Sequence, residues 1–199
     1  MNLVTLTPIT WPTVIGLLGS ALVFLLLARV LSARLADRLM VVATALMVIG
    51  ALLVALVPSV PPTGPALVLL GVFVLAVAVT GGGPVASFVL ALATKGSVAP
   101  GIHGGILVEH RNPSASQVVG RPIEVLRGGT AIGILERLAL VAALFSGYPE
   151  AIAVIVAVKG VGRFTELDSA EARERFIIGS LASLLWAAGV ASILLLARG

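Results

Sequence analysis

Apolar residues in this chain come in near-continuous runs, separated by polar or proline-rich punctuation, with no alternation and no single apolar face. Runs of about 17–25 such residues are helices that cross a bilayer. The first covers about Trp11 to Val30, with Trp11 suited to the interface and Pro12 to the first helical turn. The second covers about Leu39 to Leu56 and stops at PSVPPTGP (58–65), a stiff turn that no helix continues through. The third runs from about Ala66 to Ala93 and contains TGGGP at 80–84, which predicts a break in the helix. The fourth and fifth, roughly 130–147 and 149–164, flank a tight turn at Gly147–Tyr148, and the sixth covers about Phe176 to Ala197. Between the third and fourth, residues 94–129 are mixed and polar, longer than an ordinary connector. ILVEH and PIEVLR in that segment have strand-like character and predict a small β-hairpin or interfacial flap.

The expected fold is therefore all-α: a polytopic transmembrane helix bundle of about six spans, the third broken at TGGGP. Its organisation reads as a three-span unit over 1–93, a cytoplasmic loop or flap over 94–129 and a second three-span unit over 130–199. The halves do not look alike, so a bundle without internal symmetry is expected rather than an inverted repeat.

Composition agrees. Hydrophobic residues make up 59% and charged residues 11%, with a mean hydropathy of +1.16. Soluble domains carry about 45–50% and about 25% respectively. The net charge of +4 does not indicate nucleic acid, because the basic residues sit beside apolar runs and form no patch interleaved with aromatics. Without cysteine, disulfides and thiol chemistry are excluded. The start, MNLVTLTPITWP, lacks the basic n-region of a cleavable signal peptide, so the first run is expected to remain as a span.

Charge orients the spans. If the third run crosses, Arg29, Arg34 and Arg38 share a side with Lys95, Arg111, Arg121 and Arg127. Lys159, Arg163, Arg173 and Arg175 join them, and Arg198 is left opposite. The positive-inside rule then favours both termini outside and the basic loops in the cytoplasm. If the third run instead turned back at its glycines, four of those basic residues would lie outside.

The fourth and fifth spans carry the densest chemistry. Glu136 stands eleven positions before the Gly147–Tyr148 tip and Lys159 eleven after it, so antiparallel helices set them at one depth. Lys159 and Arg163 are four apart on one helical face, where like charges repel and an acid between them removes the conflict. Glu136 is expected to pair with Lys159, Arg163 or both. Such a group can fix helix register, or it can form a proton or anion site. Arg137 leaves the helix in a different direction from Glu136 and is expected to reach the headgroups or another span. Ala153, Ala157 and Gly160 form a small-residue strip that permits close helix approach.

The stretches IGILER, AVKGVGRFTEL and AEARERFIIGSLASLLWA resemble the C-terminal membrane portion of an uncharacterised bacterial membrane-protein family. In that family an IG-x-LER helix, an A-x-K-x-x-x-RF helix end and a span opening with AE and then F-x-IGT follow one another. The similarity covers about residues 130–190 and departs from the pattern at Ser180, where the family has Thr. It implies that Glu136, Arg137, Lys159, Arg163 and Glu166 form one unit in a bacterial inner-membrane protein. With no activity assigned to the family, it transfers no mechanism.

At TGGGP, a break would make Pro84 the first residue of a new half-helix with Gly83 as its cap. Freed N–H groups would then offer an anion or ion site formed by Thr80, Gly81, Gly82, Gly83 and Ser87. The alternative is a packed kink supported by neighbouring spans. RGGT at 127–130 opens the fourth span and offers free N–H groups to a headgroup phosphate. His103 and His110 have no acidic or cysteine neighbours at metal-site spacing and read as solvated loop residues. Asp168 with Glu171, and Glu171 with Arg175, read as ordinary helix-start chemistry.

HExxH, Gly-x-Ser-x-Gly and a paired-aspartate metal motif are all absent from the sequence. The leading expectation is a non-enzymatic membrane protein, either a small transporter or an accessory subunit of a membrane complex. It needs no cofactor or metal; its partners are the bilayer, anionic headgroups and other membrane subunits, with no nucleic acid. The second expectation is a membrane enzyme acting on a lipid or polyprenyl headgroup at the cytoplasmic face through Glu136, Lys159 and Arg163.

Overall fold

The computed structural model describes residues 3–31, 33–57, 60–93, 106–108, 123–125, 128–162 and 170–198. They form six helices: α1 (Leu3–Leu27), α2 (Ala33–Leu56), α3 (Gly64–Ala93), α4 (Gly129–Phe145), α5 (Ala151–Gly162) and α6 (Ala170–Arg198). Between α3 and α4, β1 (Ile106–Val108) and β2 (Ile123–Val125) pair antiparallel, with Leu107 opposite Glu124. The ILV of ILVEH and the IEV of PIEVLR thus meet as a two-stranded ribbon. His103, His110, Arg127, Arg163, Glu166 and Asp168 lie outside the described residues, as does the side chain of Glu171.

Four helices, α1, α2, α3 and α6, are long and apolar enough to cross a membrane. The helices α4 and α5 are shorter, at 17 and 12 residues. At 1.5 Å rise per residue they extend roughly 25 and 18 Å.

One correction concerns α3. It runs without interruption through TGGGP, carrying Pro84 inside the helix, so the predicted break does not form. Proline in a helix interior removes one hydrogen bond and crowds the carbonyl four residues back, but neighbouring helices can re-satisfy that carbonyl. Here they do, as described below.

Inside the bundle the helices pack through narrow stripes. On α1 the stripe is Val14, Leu18, Ala21 and Leu25; on α3 it is Leu70, Val74, Val77 and Ala78. Ala187, Val190, Ala191 and Leu194 of α6 complete the core, and the interface between α3 and α6 is the most extensive. The first three helices and the last three therefore share one core. Many of the buried positions are alanine or glycine, which bring backbones close where lipid-like surroundings offer no hydrophobic drive. The outward faces stay apolar, including Val41, Ile49 and Leu52 of α2, as a lipid-facing surface requires.

Side-chain contacts fix the helix directions. Trp11 near the start of α1 donates its indole N–H to Val60 O (2.8 Å) just before α3, and Arg29 beyond the end of α1 reaches Thr80 O (3.1 Å), so α1 and α3 run parallel. Gly71 and Gly179 face Leu194 and Leu90, so α6 runs antiparallel to α3. Arg198 reaches Phe145 O (3.4 Å) and Arg137 reaches Ser183 Oγ (2.8 Å), so α4 and α6 run parallel. The α1–α2, α3–α4 and α5–α6 connections therefore gather at one end of the bundle.

The helix α4 ends in a Schellman motif. Tyr148 N–H bonds to Ala143 O (2.9 Å) and Gly147 N–H to Leu144 O (3.2 Å), with Gly147 at φ 76°. Only glycine adopts that conformation freely, and the turn sends α5 back along α4. The helix α5 packs on α4 through half-buried Ile152, Ile155 and Lys159. The predicted small-residue strip, Ala153, Ala157 and Gly160, points outward and is exposed, because α5 uses the face carrying Lys159 instead. Gly147→Ala is expected to destabilise the protein by about 1–2 kcal/mol, the cost of a left-handed Cβ. A lower melting temperature of the detergent-solubilised chain checks this; an unchanged one removes the turn as the determinant of the hairpin.

Candidate functional site

Glu136 and Lys159 form an ion pair, at the register the turn imposes. Both are largely buried, and the Lys159 ammonium also lies 5.5 Å from the centre of the Phe176 ring. A cation over an aromatic face is stabilised by the ring quadrupole, so α6 shares in holding Lys159. Arg163 and Glu166, the other two members of the predicted charged cluster, lie outside the described residues.

Arg137 is the more deeply placed charge, 4% exposed. It crosses to two other helices. Its Nε–H donates to Val79 O of α3 (2.9 Å) and an Nη1–H to Ser183 Oγ of α6 (2.8 Å). The sequence expectation allowed for another span as its target but did not identify which.

The TGGGP residues explain how these contacts are reached. Pro84 has no N–H for Thr80 O, four residues back, and Arg29 donates to that carbonyl instead. The Trp186 indole donates to Val77 O (3.1 Å), and Thr80 Oγ1 turns back to Ala76 O (2.6 Å). Carbonyls 77, 79 and 80 thus receive donors from α6, from α4 and from the end of α1. A Cβ on Gly81 would lie 2.5 Å from the Trp186 ring, and one on Gly82 would strike the Arg137 side chain and Ser183 Oγ (2.9 Å). Gly83 has open space around it. The first two glycines are close-approach sites for side chains from other helices. The predicted half-helix with freed N–H groups does not exist; α3 presents carbonyl oxygens, and they collect cations.

These cations line a half-open cavity of about 520 Å³ between α3, α4 and α6, with Lys159 from α5 and Arg29 at its edge. Gly83, Pro84 and Ser87 form its α3 wall, Gly129, Thr130 and Gly133 its α4 wall, and Gly179, Ser180 and Ser183 its α6 wall. Of the residues predicted to form an anion or ion site at TGGGP, Gly83 and Ser87 line the same cleft as Lys159 of the charged hairpin. Thr80 contributes its carbonyl to Arg29, and Gly81 and Gly82 close beneath Trp186 and Arg137. Glu136 does not line the cavity and reaches it only through Lys159. Among the described residues, three cations thus face a space whose walls contain no carboxylate.

Arg29 was legible only as a topology signal, and Trp186 and Ser183 were not singled out. Ser183 sits seven residues after Phe176 on one face of α6, a spacing that follows once Lys159 is known to touch Phe176. No family model matches the chain, and no curated protein or solved structure does either.

The contrast among the three glycines is testable. Gly81→Ala and Gly82→Ala are each expected to lower stability by about 1–3 kcal/mol through overpacking. Gly83→Ala is expected to be neutral or slightly stabilising, from helix propensity. Thermal melts of the three variants check this, and equal losses at all three positions would contradict the packing described.

Proposed function

We propose that the chain is a multi-pass membrane protein, with no catalytic activity of its own, that binds an anionic ligand in the cavity at its basic end, as a small transporter or a ligand-binding subunit of a membrane complex. The observation that carries this reading is Arg29, Arg137 and Lys159 facing one cleft, with Glu136 the single neighbouring acid among the described residues. A positive, partly desolvated cleft concentrates anions, because the surrounding low-dielectric walls focus its field. The enzyme reading has less support. It needs a carboxylate or comparable group free to act on substrate, and Glu136 is engaged by Lys159 behind the cavity wall.

In this reading the connections α1–α2, α3–α4 and α5–α6 face the cytoplasm, since they and the helix ends beside them carry nearly all the basic residues. Six crossings follow, with both termini outside and the protein in a bacterial inner membrane, as its family resemblance implies. Absence of native cysteine makes the orientation simple to test. Tyr148→Cys, in the exposed α4–α5 turn, should react with a membrane-impermeant maleimide on intact cells, and Arg38→Cys only after permeabilisation. The reverse pattern would invert the topology.

The role of Glu136 separates a ligand site from a purely structural ion pair. Glu136→Gln frees Lys159 to face the cavity, and inorganic phosphate should then bind about tenfold more tightly, a gain of about 1.4 kcal/mol. Arg137→Gln should lose binding. Calorimetric titration of the detergent-solubilised protein reads both. If Glu136→Gln only lowers the melting temperature and no small anion binds the parent protein, the pair is structural and the anion-site reading fails.

A further inference from the structure

We propose that the ligand of this cavity is a phosphate-bearing amphiphile, with its phosphate on Arg137 and Lys159 and its apolar portion against Leu90, Ile132, Ile134 and Phe176. This rests on the anion-site reading above and names the ligand class.

Size comes first. A cavity of about 520 Å³ has room for more than ten waters at ~30 Å³ each, and lies within the ~300–1,000 Å³ typical of organic-ligand sites. A bare inorganic anion would occupy a small part of it and leave water against four apolar side chains. An amphiphile fills both kinds of wall.

Arg137 supplies the second observation. Its guanidinium carries five N–H groups, of which Val79 O and Ser183 Oγ take two. The others find no acceptor among the described residues, although the side chain is 4% exposed and lines the cavity. A planar guanidinium held from behind by a carbonyl and a hydroxyl presents its remaining edge as a fork matched to phosphate oxygens.

The third is the start of α4. Its N-cap is Gly128 at φ 85°, which brings no side chain to this end of the cleft. Gly129 and Thr130 line the cavity mouth. The Arg137 side chain runs back along α4 until Nη1 lies beside Gly133, where an added Cβ would come within 2.9 Å. Four residues of helix, roughly 6 Å, then separate the guanidinium level from Gly129. A phosphate beside that stretch sits on the cationic donors of Arg137 and Lys159, which line the same cleft.

Native mass spectrometry of the full-length protein in detergent tests this, using dioleoyl phosphatidic acid, the diacylglycerol of the same chains, oleate and inorganic phosphate as probes. Phosphatidic acid should be retained at least tenfold over diacylglycerol and oleate, and Arg137→Gln should abolish the preference. Because Arg137 also joins three helices, two milder variants accompany it. Arg29→Gln, at the exposed edge, should weaken retention several-fold, and Ser180→Leu should obstruct the cavity without changing its charge. Unchanged retention in both variants overturns the proposal. Inorganic phosphate binding as tightly as phosphatidic acid assigns the site to the free anion, which overturns the amphiphile and leaves the anion-site reading standing. Equal retention of oleate or diacylglycerol removes the phosphate. Binding of none of the four overturns both readings.

Discussion

The guanidinium of Arg137 is the constraint around which this bundle is arranged. On insertion scales a charged side chain near the centre of a membrane helix costs about 2.5–3.5 kcal/mol, so it persists only where polar partners meet it. The partners here lie on two other helices, at Val79 O of α3 and Ser183 Oγ of α6, and one side chain thereby fixes the relative heights of α3, α4 and α6. Gly82 and Gly133 are small because the arginine passes beside both. The glycines, the serine and the arginine are one arrangement distributed over three helices.

The proline in α3 belongs to the same arrangement. A helix that loses the N–H of Pro84 keeps an under-bonded carbonyl at Thr80, and in a bilayer such a group must find another donor. Arg29 provides it. The neighbouring carbonyls of Val77 and Val79 accept further donors from Trp186 and Arg137, using the second lone pair that helical carbonyls retain. A single turn of α3 is thus an acceptor surface for three other segments, which is why a stretch with three glycines and a proline stays helical. Its rigidity comes from neighbours and not from its own propensity.

That dependence on neighbours separates what could be read in the sequence from what could not. The long apolar runs marked the helices, because a span must be apolar all round and about twenty residues long whatever it packs against. The register of Glu136 and Lys159 was legible for a local reason: Gly147 closes a short turn, and counting from it sets the depth of both residues. The ribbon between α3 and α4 was visible in two short β-prone stretches. TGGGP misled because the rule applied to it, that proline ends a helix, is a rule for a helix alone. The target of Arg137 was hidden for the same reason, since it depends on the packing of α3 against α6, and nothing within IGILER encodes that contact. The outward turn of Ala153, Ala157 and Gly160 shows that a small-residue strip states only what close packing would need.

The distribution of charge at this site gives the remaining step. Were the cluster only a clamp, the simplest solution would match each cation with an acid. Among the described residues only Lys159 is matched by an acid, Glu136; Arg137 and Arg29 rest on carbonyls and a hydroxyl, which satisfy hydrogen bonds but cancel no charge. Replacing a carboxylate by a carbonyl keeps the guanidinium oriented and leaves its field directed into the cavity. Lys159 adds a second degree of control. Its ammonium stands between Glu136, the Phe176 ring and the cavity, so an anion entering the space competes with Glu136 for one cation while drawing on the full charge of the other two. In the anion-binding reading proposed above, such a site holds its cations in place and still gains net attraction when an anion enters, a balance that a fully paired cluster would not have.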